Sequence, residues 1–317
     1  MKKVLFVSLA LAGLSVLSAA QATVITGNFT NNPSQDGWRV FGNTNLFRWD
    51  STNHQLAVTW DSSQTNSYFY HPLGTILTRN DDFSLSFDLQ VNDAIAFNYG
   101  SELAVGLFNF ASATNANFSR GGGSSPNIFE FDYFPDTGFG NSVDATLMDT
   151  NGDYSHLFFI YDNKTLEPGV TYHVTLTHAA GTTNLTGQIL ANGAPFTALP
   201  LVFSASITDF RLDTLSISSY QDDGFGDSIL AHGAVENFIV TLPPSPVQNL
   251  SGKFQGGQWQ AQFLSRSNWL YSLERSADLI NWTNVVSGIP GNGTNIMASD
   301  TAPPADKSFY RVRAERP

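Results

Sequence analysis

Apolar and polar residues alternate with period two along most of the chain. Gln55–Trp60, Phe83–Val91, Val170–Thr177, Phe210–Ile217 and Val235–Leu242 each carry every second side chain on one apolar face, between clusters of Gly, Asn and Asp. That period belongs to a strand with one face buried and one face wet. With weaker runs included, the stretch 23–242 predicts about a dozen strands at the spacing of sandwiches and barrels. A single unit of this length with so many strands is most simply a large two-sheet sandwich. Gln258–Phe263, Trp269–Glu274 and Ser308–Arg313 continue the alternation among Trp259, Trp269 and Trp282, which predicts a second, smaller sandwich over 248–317.

Composition supports strands over helices, because the 317 residues include only 5 Lys and 6 Glu but 25 Phe and 26 Gly. Residues 1–22 stand apart. Met1-Lys2-Lys3 is a basic start, Val4–Leu17 an apolar run, and Ala20-Gln21-Ala22 a small-x-small site, the pattern of an export leader cleaved after Ala22. The apolar run falls short of the roughly 20 residues of a membrane span, and no second such run follows. The expected location is therefore secreted, extracellular or at the cell surface. Having no cysteine excludes disulfide frameworks, thiolate metal sites and cysteine nucleophiles.

Charge divides the chain. Thr23–Pro243 carries 22 acidic and 6 basic side chains, whereas Pro244–Pro317 carries 5 and 7. The change falls at 243–247, where closely spaced prolines predict an extended linker. A net charge of −12 argues against nucleic acid as a partner, since a phosphate backbone is held by clustered Lys and Arg.

The strongest polar constellation is Phe129-Glu130-Phe131-Asp132-Tyr133-Phe134-Pro135-Asp136. In a strand, Glu130 and Asp132 emerge side by side on one face, with Phe129 and Phe131 on the other. Two such carboxylates can hold a divalent cation or share acid and nucleophile roles in glycoside cleavage; the plainer alternative is the solvated face of an edge strand. A second feature is an internal echo, because Asp136-Thr-Gly-Phe-Gly-Asn-Ser142 and Asp222-Asp-Gly-Phe-Gly-Asp-Ser228 agree at five of seven positions. Each follows a strand ending near an aromatic, Phe134 or Tyr220; the plainer reading is a repeated turn with Phe139 and Phe225 packed over the sheet ends, and the sharper one a binding rim with those rings as stacking faces, Asp136 and Asp222 as acceptors, and Tyr133 and Tyr220 beside them. Asp149-Thr-Asn151-Gly-Asp153 resembles the opening of a calcium loop, although Tyr154 replaces its turn glycine and Ile160 its closing Glu. The nucleophile elbow, the phosphate loop and the His-Glu-x-x-His motif are absent.

The Glu130-x-Asp132 strand resembles the concanavalin A-like lectin and glucanase superfamily. In its legume-type lectins such a strand carries a metal site, and the resemblance implies Glu130, Asp132, Asp136 and His156 as metal ligands, to which the calcium-loop-like turn adds Asp153, with calcium as cofactor. Asp136 and Asn141 exchange the usual residue types, and His156 arrives late. Laminarinase-type hydrolases resemble the same stretch, with Glu130 as nucleophile and Asp132 assisting; Phe134 and Pro135 stand where their acid/base glutamate belongs. Residues Asp36-Gly-Trp38, Val58–Ser62, Glu130–Asp136 and Gly233–Phe238 also look like a group of exported bacterial proteins. Tyr271–Thr283 and Phe309–Arg313 resemble a fibronectin- or immunoglobulin-like module found at the C-terminus of such proteins. The expectation is thus an all-β chain, a concanavalin A-like jelly-roll sandwich followed by a fibronectin-like sandwich. Its expected role is non-catalytic binding of an extracellular glycan, with a Glu130-dependent polysaccharide hydrolase or lyase and an adhesive surface protein as alternatives.

Overall fold

The computed structural model describes residues 22–97, 102–120, 125–152, 164–182, 184–202, 209–222, 228–305 and 307–317. Nearly all ordered elements are strands. In chain order they are β1 (Thr23–Gly27), β2 (Arg39–Phe41), β3 (Phe47–Asp50), β4 (Gln55–Asp61), β5 (Ser67–Leu77), β6 (Phe83–Phe97), β7 (Leu103–Phe108), β8 (Ile128–Phe134), β9 (Ser142–Met148) and β10 (Tyr172–His178). They continue with β11 (Asn184–Ala191), β12 (Ala194–Val202), β13 (Leu212–Ser219), β14 (Ser228–Leu242), β15 (Val247–Gln255), β16 (Gln258–Ser265), β17 (Leu270–Ser276), β18 (Thr283–Pro290), β19 (Asn295–Asp300) and β20 (Phe309–Glu315). Among the described residues one short α-helix, α1 (Phe110–Ala113), follows β7, capped by Asn109, whose side chain accepts from Ser112 N.

Up to Leu242 the strands form two antiparallel sheets. The larger has eight strands in the order β12-β11-β10-β6-β14-β4-β3, with β1 added alongside β14. The other has six, in the order β2-β5-β13-β7-β8-β9. Their inner faces meet in one core that includes Trp60, Phe87, Val174 and Val240 from the larger sheet and Val105, Phe129, Phe131 and Ile217 from the smaller. The two sheets differ on their outer faces. In β10 every second residue is partly or fully exposed, whereas all seven residues of β8 and all seven of β9 are buried. What covers the six-stranded sheet is α1 with the stretch after it, where Ala113 and Phe118 pack on Tyr68, Phe108, Met148 and Tyr220.

From Val247 onward two three-stranded sheets, β15-β16-β19 and β18-β17-β20, enclose a small core around Leu273, Ala261, Phe263 and Tyr271. No strand of this C-terminal part pairs with one of the first fourteen among the described residues. The two parts are joined through side chains. Arg266 Nη2 donates to Asp81 Oδ1 at 2.8 Å, Arg316 Nη2 donates to Asp81 Oδ2, and Arg266 Nη1 donates to Pro244 O at 2.9 Å. Burial works against the Asp81 carboxylate, but the two arginines and Thr78 outweigh it and hold its pKa below the ordinary carboxylate value.

Candidate functional site

The strand alternation of β8 sends Glu130 and Asp132 to the covered outer face of the six-stranded sheet. Neither is solvated and β8 is no edge, since it lies between β7 and β9. On this face Glu130 lies across from Gly106 of β7, and Asp132 across from Asp144 of β9. Gly106 is a packing requirement, because a Cβ there would come within 2.3 Å of the Glu130 Cβ. Glu102, just before β7, adds a fourth buried carboxylate.

One cation answers these acids. Arg120, from the stretch after α1, donates through Nε to Glu130 Oε1 at 2.6 Å and through Nη2 to Asp132 Oδ2 at 3.1 Å and Thr146 Oγ1 at 3.3 Å. Its Nε lies 3.5 Å from Glu102 Oε1, and the Arg120 side chain is only 4% exposed. Tyr220 donates to the second Glu130 oxygen at 2.8 Å, and Thr146 donates to Asp132 Oδ2 at 2.5 Å. Asp132 Oδ1 and Asp144 Oδ2 are left without a partner. Four buried carboxylates against one guanidinium cannot all carry charge at low cost. Accordingly, burial and then the neighbouring Glu130 charge push the Asp132 carboxyl well up, against the pull of Arg120. Burial likewise pushes Asp144 up to about 7. Burial and Glu130 also raise the phenols of Tyr68 and Tyr220.

The other sequence candidates scatter. Tyr133 lies on the opposite face of β8 from Glu130, inside the main core, where its hydroxyl accepts from Asn141 Nδ2 and Leu166 N. Tyr220 is buried under Phe118 and offers no surface for a ligand. Asp136 is spent on its own turn, accepting from Gly138 N at 2.7 Å, while Thr137 closes that turn onto Gly140 O. At the tip of this turn Phe139 is 79% exposed, as the echo motif predicts. Asp222 donates its backbone N–H to Ser62 O. Phe225, Asp153 and His156 lie outside the described residues. Asp149 organises a turn by accepting from Asn151 N.

Among the described residues no three His, Asp or Glu side chains are placed to hold a metal ion, and Asp153 and His156 of the expected set lie outside those residues. Glu130 and Asp132 already serve Arg120, and Asp136 is tied into its turn, so these three are not gathered around a calcium ion. Four of the six histidines have structural partners: His173 meets Asp88, His232 meets Asp93, and His71 and His178 meet backbone carbonyls of Asp36 and Asp81.

A concavity that no motif signalled opens at the junction of the two parts. It measures about 750 Å³, within the range of ligand pockets, and junctions between folded units are a favoured place for them. Tyr70 of β5 and Phe110 of α1, with ring centroids 4.6 Å apart, form an aromatic wall. Arg39 of β2, the register partner of Tyr70, lines the cleft beside them. Trp269, Leu270, Glu315 and Arg316 close it from the C-terminal part. The Arg316 guanidinium lies 4.7 Å over the Trp269 ring, so the residue that latches Asp81 also lines the cleft.

Two sequence signals pointed at these arrangements. Arg120 is the only basic residue between Arg79 and Lys164, a stretch rich in Asp and Glu, which marks it as the counter-ion of the buried acids. The basic balance of Pro244–Pro317 beside an acidic partner anticipates the pairing of Arg266 and Arg316 with Asp81.

No protein-family profile matches the chain. No curated protein matches it either. Among solved structures it is similar to the lectin UEA-II complexed with galactose, at 14% identity and a TM-score of 0.47, over 70% of this chain and 98% of that one. Peanut lectin with a bound 9mer peptide gives 13% identity and a TM-score of 0.45, over 71% and 100%. The alginate lyase Aly36B gives 12% identity and a TM-score of 0.41, over 68% and 96%. Likenesses at this level carry no function, and the two-sheet jelly-roll description rests on the strand pairing above. The class defined is an all-β protein with a double-sheet sandwich whose obvious acid pair is internal.

Proposed function

We propose that the chain is an exported, non-catalytic glycan-binding protein that holds saccharide in the cleft between the sandwich and a fibronectin-like C-terminal module. The observation that carries this reading is the cleft itself, lined by the Tyr70 and Phe110 pair together with the polar groups of Thr75 and Arg39. Sugar rings present apolar C–H faces and a hydroxyl rim, which such a mixture of aromatic surface and fixed polar groups suits. Glu130 speaks for binding over catalysis. A glycosidase nucleophile must reach its substrate, and Glu130 is 1% exposed with both oxygens engaged.

Calorimetric titration against a panel of soluble oligosaccharides, with parallel assay for reducing ends and unsaturated products, tests the reading. Saturable binding without product, weakened in Tyr70→Ala and Phe110→Ala, is the expected result. Product formation that disappears in Glu130→Gln would replace it with a hydrolase or lyase, and no saccharide binding at all would favour an adhesive role.

A further inference from the structure

The C-terminal part leaves one long strand edge open. Strand β15 pairs with β16 on one side, and among the described residues no strand pairs with its other side. All seven residues from Asn249 to Gln255 are exposed, and they include two large apolar side chains, Leu250 at 52% and Phe254 at 66%. Phe254 is the register partner of Trp259, and Gly252 that of the buried Ala261, so Phe254 and Gly252 lie on the inner face of the small sandwich. The Trp259 ring lies over Gly252, where a Cβ would come within 2.6 Å of it, and stacks on Tyr310 with centroids 3.9 Å apart. The open edge therefore runs beside apolar side chains that the opposite sheet does not cover.

Other edges carry the guards that keep strands from adding to one another. β12 contains Pro195 and Pro200, and β2 has only three residues. β20 carries Arg311 and Arg313, which a two-fold copy centred on Val312 would set against each other. β15 has no proline and a single charge, Lys253. Its register shift between Gln248 and Ser251 leaves regular pairing from Ser251 on.

The order of residues in β15 suits a second copy of itself. About a two-fold axis at Gly252, an antiparallel copy sets Leu250 opposite Phe254 of the partner subunit and Lys253 opposite Ser251 of the partner subunit. Both apolar side chains of each copy are then covered on one face, and the two lysines do not oppose each other. An axis at Lys253 would oppose them, and one at Ser251 would set Leu250 against Gly252 and Phe254 against Gln248. Charge favours an approach through this part of the chain. Two copies of Thr23–Pro243, with 22 acidic and 6 basic side chains each, repel, whereas Pro244–Pro317 carries 5 and 7.

We infer that β15 is the surface through which two copies of this chain associate, joining β15-β16-β19 of each into one continuous antiparallel sheet. One strand pair with four apolar side chains falls below the roughly 1,200 Å² of a standard interface, so the dimer is weak, with Kd on the order of 10–100 μM. The inference stands apart from the glycan reading.

Sedimentation velocity on the full-length protein, from about 1 μM to 1 mM and at low salt, tests it. A shift from monomer to dimer across that range is expected. Ser251→Glu puts a carboxylate opposite Lys253 of the partner subunit twice in each dimer and should tighten association about threefold to tenfold, while Ser251→Lys should weaken it by at least as much. Phe254→Ser should weaken it about tenfold. Residues 251 and 254 are exposed in the single chain, so equal melting temperatures of the dilute variants separate lost association from lost folding. A monomer at every concentration would overturn the inference. So would a dimer indifferent to the sign of the charge at position 251, which would place the contact on another surface, or growth beyond the dimer, which a closed two-fold pairing forbids.

Discussion

The outer face of the six-stranded sheet and the junction cleft are both polar places in a protein of mostly apolar cores, yet they are finished differently. On the sheet, Glu102, Glu130, Asp132 and Asp144 gather around Arg120 under a cover of Phe118 and Ala113, sealed from water. At the junction, Arg39 stands exposed on an open cleft and makes no hydrogen bond or ion pair to any described residue. A buried network holds strands and a covering segment in one arrangement. A cleft that stays open to solvent has room for a partner from outside. The residue types that look most like an active site are therefore structural in this fold, and the site with room for a ligand is made from residues that form no motif.

The sharpest way to break this comparison is to remove the guanidinium of the buried network. Arg120→Met leaves four buried carboxylates without a counter-charge and should lower the unfolding free energy by about 3–5 kcal/mol in urea titration. An unchanged midpoint would mean that the cluster is not structural. Next comes the latch. Asp81→Asn leaves Arg266 and Arg316 without their carboxylate, with an expected loss of about 1.5–3 kcal/mol and a weakened cleft, while Arg120→Met acts on the sheet alone. Loss of stability with unaltered ligand affinity would detach the latch from the cleft.

Smaller again is Gly106→Ala, which pushes a methyl group against the Glu130 Cβ and the Phe129 carbonyl, for about 1–3 kcal/mol by thermal or urea melting. The gentlest probe is pH. Asp144 is raised to about 7 in the folded protein from an ordinary value of 3.8, so between those values the native state binds more protons than the unfolded one. Stability contributed here is therefore lost as pH rises from about 4 towards 7, with a slope of at most about 1.4 kcal/mol per unit for one proton. Asp132, raised in the same direction, adds to the trend. Asp144→Asn should flatten the slope in melts between about pH 4 and 7; an unaltered slope would place the proton elsewhere.

The extent to which the site was legible follows from the range of the forces involved. Glu130 and Asp132 were assigned to one face of a strand, and they share it, because the two-residue period is a property of adjacent peptide units. The same period assigned Tyr133 to the opposite face, so grouping it with Asp136 and Phe139 as a binding rim ran against the strand geometry. Phe139 was read as an exposed turn residue, and its turn closes within four residues through Asp136, Thr137 and Gly140. Whether the acid-bearing face would be wet or covered depended on where the stretch after α1 comes to rest, and nothing in the spacing of Glu130 and Asp132 reports that.

By itself, then, the sequence determined the strand content, the face on which each strand residue lies, the turns carrying Gly and Asp, and the uneven division of charge about 243–247. These follow from backbone sterics and alternation over a few residues. Tertiary structure alone decided that the paired carboxylates are interior, that Arg120 neutralises them, and that residues as distant as Arg39, Tyr70, Phe110, Asp213, Trp269 and Arg316 line one cleft. Those contacts join segments far apart along the chain, and they form because burying apolar surface between sheets and pairing charges across a junction outweigh the entropy of closing the loops between them.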